Sequence, residues 1–156
     1  MAIIVTGTPG TGKTTIARLI AKKLKFQYID INKVIKEKKL SVFYDKKRKT
    51  KVVDEKKLAR ELIKLIKKNN KVVIDGHLSH FIPRKYASVC IVTRCDLKTL
   101  KRRLGKRHYG KEKIRENLDA ELFEVDCLAL AYSSVNNAGK LNSLDAWRPR
   151  LELRAG

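Results

Sequence analysis

Residues 2–24 read Ala-Ile-Ile-Val-Thr-Gly-Thr-Pro-Gly-Thr-Gly-Lys-Thr-Thr-Ile-Ala-Arg-Leu-Ile-Ala-Lys-Lys-Leu. The run 2–6 is short, β-branched and ends at a glycine, which predicts a buried strand of a parallel sheet. From Lys13 to Lys25, Ile16, Leu19, Ile20 and Leu24 recur at three- and four-residue spacing, so a helix follows, with Lys22, Lys23 and Lys25 at the end where cations suit its dipole. Between strand and helix, Gly7-Thr8-Pro9-Gly10-Thr11-Gly12-Lys13-Thr14 matches G-x-x-x-x-G-K-[ST] without a mismatch. Glycines let such a loop curl until successive backbone N–H groups point into an anion hole at a helix N-terminus. Given this chain's residue frequencies, the match would arise by accident in about one chain in 200. The stretch therefore predicts an α/β P-loop NTPase fold that binds a nucleotide.

Working outward, FQYIDI (26–31), KVVID (71–75) and SVCIVT (88–93) predict three further strands. Asp54 is placed to cap a helix whose apolar face is Leu58, Leu62, Ile63, Leu65 and Ile66, stopping at Asn69-Asn70. Asp96 is placed to cap a basic helix running through Leu104. Strands alternating with helices imply βαβ units and a doubly wound parallel sheet. Asn32–Thr50 includes KKRKT and lacks a sustained apolar pattern, so a mobile arm, or a short helix with a loop, is expected there. Residues 133–156 have no period beyond a weak alternation in LELR. A tail that is frayed, foreign to the core or derived from an expression vector is expected.

With 156 residues the chain fits one domain. Its 37 Lys and Arg against 16 Asp and Glu give a net charge of +21. Such a surface suits nucleic acid, anionic nucleotides or a lysine-rich proteome adapted to heat, and composition does not choose among the three. No apolar run approaches the roughly 18 to 20 residues that span a bilayer, and no basic segment precedes the first apolar stretch. The expectation is no membrane association and a cytoplasmic location. Cys90, Cys95 and Cys127 lack zinc-site spacing and are expected as reduced thiols.

Several residues carry candidate chemistry. Lys13 is expected to reach the β and γ phosphates, and the Thr14 hydroxyl to ligate Mg²⁺. Thr15 is open between a contact to the α phosphate and a helix N-terminal residue without a ligand. Asp75 ends an apolar strand, where P-loop enzymes place the carboxylate that holds the Mg²⁺ shell or positions the attacking group. His77, two residues on, is read either as a structural histidine or as a contact to water or phosphate. In Asp96–Gly110, Arg103 and Arg107 lie near Gly105 and Gly110. A loop folding over a triphosphate would use such arginines to neutralise developing charge, and Arg107 is preferred over a merely solvated face.

Taken together, GTPGTGKTT at 7–15, YIDIN at 28–32, VVDE at 52–55, Asp75-Gly76-His77 with Phe81-Ile82-Pro83 behind it, and Arg103-Leu-x-x-Arg107-x-Tyr109 resemble the adenylate kinase isoenzyme 6 family, also described as coilin-interacting nuclear ATPase in animals. DAELFEV at 119–125 resembles that family's following helix, and the resemblance runs from residue 3 to about 132; the last strand and last helix with which members continue are not recognisable after Tyr132, so by this resemblance the sheet is expected to lack its edge strand. Compact size and lysine bias resemble archaeal members.

The resemblance implies an adenylate kinase-like P-loop domain over 1–132, with a monophosphate-binding arm at about 33–54 and a short lid at about 105–116. It implies that Gly10, Gly12, Lys13, Thr14 and Thr15 bind ATP, that Arg107 is the lid arginine, and that Asp75 and His77 form a Walker B pair. Members transfer phosphate from Mg-ATP to AMP or another nucleoside monophosphate, and also hydrolyse ATP. They assist late maturation of the small ribosomal subunit on a platform protein beside ribosomal RNA. A ribosome-assembly ATPase switch with little kinase activity is the alternative. A small-molecule kinase of shikimate or nucleoside type shares the loop but wants acceptor-binding arginines and acids that the sequence does not display.

Overall fold

A computed structural model describes residues 1–45, 50–123 and 153–154. The elements are β1 (Ala2–Thr6), α1 (Lys13–Leu24), β2 (Gln27–Asp30), α2 (Ile31–Glu37), β3 (Ser41–Asp45), β4 (Thr50–Val53), α3 (Glu55–Lys68), β5 (Val72–Asp75), β6 (Val89–Arg94), α4 (Leu97–Lys106), α5 (Lys111–Leu122) and β7 (Leu153–Arg154). The main sheet has the order β2-β5-β1-β6-β7, all neighbours parallel. This is the doubly wound P-loop architecture expected from the glycine loop and the alternation of strands with helices.

Strand β1 is buried along its whole length because both of its faces are covered. Ala2 and Ile4 join Leu58 and Leu62 of α3, with Ile31, Val34 and Ile35 of α2, on one side of the sheet. Ile3 and Val5 meet Ala17 and Ala21 of α1 on the other. The alternation along one strand thus becomes two cores, and the C-terminal ends of β1, β5 and β6 are left together at one edge.

Both predicted caps form. Asp54 Oδ1 accepts from the Lys57 N–H at 2.9 Å and Asp96 Oδ1 from the Thr99 N–H at 2.8 Å. The second strand stops one residue early, because Asp30 turns out to cap α2 by accepting from the Asn32 N–H at 2.8 Å, which makes Ile31 the first helical residue. The unreadable basic stretch is this seven-residue helix followed by the antiparallel hairpin β3–β4. The stretch 105–116 holds the end of α4, a short turn and the first half of α5.

The expectation of a missing edge strand is corrected: Leu153–Arg154 pairs in parallel with Thr93–Arg94. Two paired residues leave too short an alternation to be told from coil. The remainder of the expected tail, 133–152 and 155–156, and Cys127 lie outside the described residues. Among the described residues Cys90 and Cys95 form no disulfide, and Cys90 is buried. No helix among the described residues is long and apolar enough to cross a membrane.

Candidate functional site

The loop leaving β1 curls through three glycines with positive φ: Gly7 at 135°, Gly10 at 100° and Gly12 at 103°. Two of these positions exclude a side chain on space as well as on torsion. A methyl group at Gly7 would run into the Thr93 carbonyl, and one at Gly10 would sit 2.8 Å from Leu100 Cδ1. Thr11 is fully buried, and its hydroxyl bridges the Thr8 carbonyl at 2.8 Å and the Thr93 hydroxyl at 2.7 Å, tying the loop to β6. Gly12 caps α1 without any side-chain acceptor, so the first N–H groups of the helix face outward with the positive end of its dipole. Lys13 arches back over the loop, donating from Nζ to the Gly7 carbonyl at 2.6 Å and the Thr8 carbonyl at 2.8 Å. Thr14 and Thr15 lie exposed in the first turn.

The adjacent strand supplies the acid. Asp75 is the last residue of β5, in register with Val5 of β1 on one side and Asp30 of β2 on the other, and only 3% exposed. Its Oδ2 accepts a hydrogen bond from the Tyr28 hydroxyl at 2.7 Å. Burial, together with the hydrogen bond to Asp75 and its charge, pushes the Tyr28 phenol up to about 12. The chain continues through Gly76, whose N–H donates to the Val5 carbonyl at 3.2 Å, into a 3-10 turn starting at His77. Solvent reaches His77, yet the protein packed around its imidazole desolvates the charged form. With the Lys13 ammonium and His80 adding repulsion, its pKa falls to about 4 from an ordinary 6.5. With Asp75 opposite Val5 and the His77 carbonyl accepting from the Thr6 hydroxyl at 3.5 Å, Asp75 and His77 stand at the edge of the sheet from which the Lys13 loop leaves β1.

The two arginines separate. Arg103 reaches the loop, donating from Nη1 to the Gly10 carbonyl at 3.3 Å and toward Cys95 Sγ at 3.6 Å. Arg107, preferred from sequence, lies one turn further on at the exposed C-terminal cap of α4. Glu121 of α5 is buried, and its Oε1 accepts from the Cys95 N–H at 2.8 Å, fastening α5 to the turn between β6 and α4, the helix that carries Arg103. Sequence reasoning missed Tyr28 and Glu121. Tyr28 lies in YIDIN and Glu121 in DAELFEV, both segments that carry the resemblance, but no spacing within them assigned either side chain a role.

These groups fit a nucleoside triphosphate with a divalent ion. Open helix N–H groups and an ammonium at the loop suit phosphate, and the Thr14 hydroxyl with the Asp75 carboxylate offers the all-oxygen donors that magnesium prefers.

The comparisons agree with the geometry. The model of a family described as "AAA domain" matches residues 3–124. The Dictyostelium discoideum adenylate kinase isoenzyme 6 homolog is 40% identical over 79% of this chain and 70% of its own length. The Caenorhabditis elegans adenylate kinase isoenzyme 6 homolog is 36% identical over 78% and 67%. Among solved structures, shikimate kinase from Acinetobacter baumannii superposes with a TM-score of 0.60 at 16% identity, covering 85% of this chain and 79% of that one, a likeness of fold alone. On the strength of the identity and coverage of these relatives, this chain belongs to the adenylate kinase isoenzyme 6 family.

Proposed function

We propose that this protein is a nucleotide kinase that transfers the γ-phosphoryl group of ATP to AMP, with an accompanying ATPase activity. The observation that carries the reading is the Lys13 ammonium arched over the glycine loop beside the strand that ends in Asp75. In this reading the N–H groups of the loop and of the first turn of α1 bind the phosphates. Lys13 exchanges its two loop carbonyls for phosphate oxygens, stabilising charge on the transferred group. Gly10 and Gly12 allow the close backbone approach, and Thr15 faces the α phosphate.

Thr14 and Asp75 hold the shell of Mg²⁺, which when bound neutralises charge between the β and γ phosphates. His77, kept neutral at physiological pH, offers a ring nitrogen to the acceptor hydroxyl or a water. Arg103 steadies the loop from behind, and Arg107 closes over the triphosphate from the end of α4. The arm at 33–54 receives the monophosphate.

Purified protein with Mg-ATP, with and without AMP, tests this directly. ADP formation that requires AMP supports the kinase; phosphate release that AMP does not alter counts against it. Lys13→Ala abolishes both products, and retained activity would refute the assignment of the loop.

A role in small-subunit maturation is supported by a separate observation. Between Lys33 and Lys71 the chain has 16 basic and 5 acidic residues, about half of the net excess. The hairpin in that stretch also exposes Val42 (64%) and Phe43 (58%). Cationic side chains around an exposed aromatic suit ribosomal RNA, with a small-subunit ribosomal protein as the second contact. In the alternative reading, slow hydrolysis drives a switch on that partner and AMP is incidental. Phosphate release stimulated by the RNA or ribosomal protein, without ADP formation from AMP, would select it. The cytoplasmic location belongs to this proposal too.

A further inference from the structure

Asp75 is a nearly buried carboxylate at the mouth of a phosphate-binding loop, and one of its two oxygens already has a partner. Strands β2 and β5 run parallel with Asp30 opposite Asp75 and Tyr28 opposite Val73. Tyr28 therefore stands two residues short of Asp75 on the neighbouring strand, and only a side chain as long as tyrosine brings a hydroxyl back to the carboxylate. It does so at 2.7 Å, on Oδ2. The ring is held independently: the Arg18 guanidinium of α1 lies over it, 5.3 Å from its centroid. Helix α1 is the one whose N-terminus closes the glycine loop, so Tyr28 joins the loop's own helix to the acid at the end of β5.

We propose that Tyr28 is the positioning residue of the Asp75 carboxylate, fixing its plane by donating to Oδ2 so that Oδ1 is presented to the ion carried by the nucleotide. Outer partners of metal-directed carboxylates act in this way on ligands generally, and their loss costs about 10- to 100-fold in metal affinity or activity. The proposal deepens the assignment of Asp75 to the magnesium shell and rests on it. The competing account is structural: the hydroxyl does no more than satisfy a carboxylate buried at a strand end.

The test uses the whole protein with Tyr28→Phe, Asp75→Asn and the double variant. Tyr28→Phe keeps the ring with the Arg18 guanidinium over its face, and removes the hydroxyl together with its hydrogen bonds to Asp75 and Arg18. Melting temperature, kcat and KM for ATP are measured. Equilibrium binding of a fluorescent ATP analogue is also followed against Mg²⁺ concentration, a readout independent of turnover. For Tyr28→Phe we expect kcat to fall about tenfold with KM little changed, and the Mg²⁺ midpoint of analogue binding to rise by a similar factor, while binding without Mg²⁺ is unaltered. In the Asp75→Asn background, Tyr28→Phe changes nothing further, because its effect passes through the carboxylate.

An unchanged kcat and Mg²⁺ midpoint in Tyr28→Phe, alongside a large loss in Asp75→Asn, overturns the role of Tyr28 and leaves that of Asp75 standing. A lower melting temperature with unchanged kinetics overturns it in favour of the structural account, as does an equal loss in both backgrounds. Full activity and an unchanged Mg²⁺ midpoint in Asp75→Asn overturns both.

Discussion

His77 turns a local arrangement into a measurable property of the molecule. The crowding that desolvates its imidazole, and the nearby Lys13 ammonium, hold it neutral down to about pH 4. The unfolded chain takes up that proton near pH 6.5. Between these values the unfolded state binds more protons, so the histidine's contribution is intact above 6.5 and is lost as pH falls toward 4. We therefore expect the His77 ring proton resonances to stay at their neutral positions through pH 5.5 in an NMR titration, and His77→Gln to weaken the acid dependence of unfolding free energy. A ring titrating near 6.5 would contradict the crowding. Gly10 is a residue of another kind, defined by space: Gly10→Ala meets Leu100 and an unfavourable φ together. Its expected result is a lowered melting temperature and loss of nucleotide binding in one step.

At the scale of elements, helices are set by their ends and their buried faces. Asp54 and Asp96 accept backbone N–H groups at the starts of α3 and α4, and those bonds pull both carboxyls below the ordinary 3.8. Asp54→Ala and Asp96→Ala are expected to lower the melting temperature at pH 7. The deficit should narrow as pH falls below 3.8 and the wild-type carboxylates protonate. On the buried face of α3, Leu58 and Leu62 are completely inaccessible. Leu62→Ala should cost about 2–5 kcal/mol in denaturant unfolding, whereas Glu61→Ala, which breaks an exposed pair with Lys64, should be close to neutral. Helix α2 shows the opposite situation. Ile31, Val34 and Ile35 have helical spacing, but seven residues are too few for a period to stand out, and its cap Asp30 reads equally well as the end of a strand.

At the scale of the whole molecule, the net charge of +21 concerns partners more than stability. Lys33, Lys36, Lys38 and Lys39 are all exposed just before the hairpin. If this surface meets RNA, replacing these four by alanine should weaken binding to a ribosomal RNA fragment. For every phosphate that is no longer neutralised, the plot of log affinity against log salt should flatten by about one unit. An unchanged slope would remove the arm from the RNA surface.

The sequence by itself determined the parts whose cause is local. The glycine loop is read from torsional demands and phosphate chemistry within eight residues. Helix α1 follows from a period, α3 from a period and a cap, and α4 from its cap, and the alternation of strands with helices leads to a parallel sheet. Asp75 was legible because an acid ending an apolar strand has a position relative to the loop that the fold dictates. Only the tertiary structure decided what depends on register and on distance between separate elements. Arg103 and Arg107 share a helix and a four-residue spacing, and what separates them is that α4 lies against Gly10 at one turn and leaves it at the next. The Tyr28–Asp75 bond requires β2 to pair with β5 in a particular register. No one-dimensional pattern encodes that register, because it is set by how helices on both faces of the sheet pack against it.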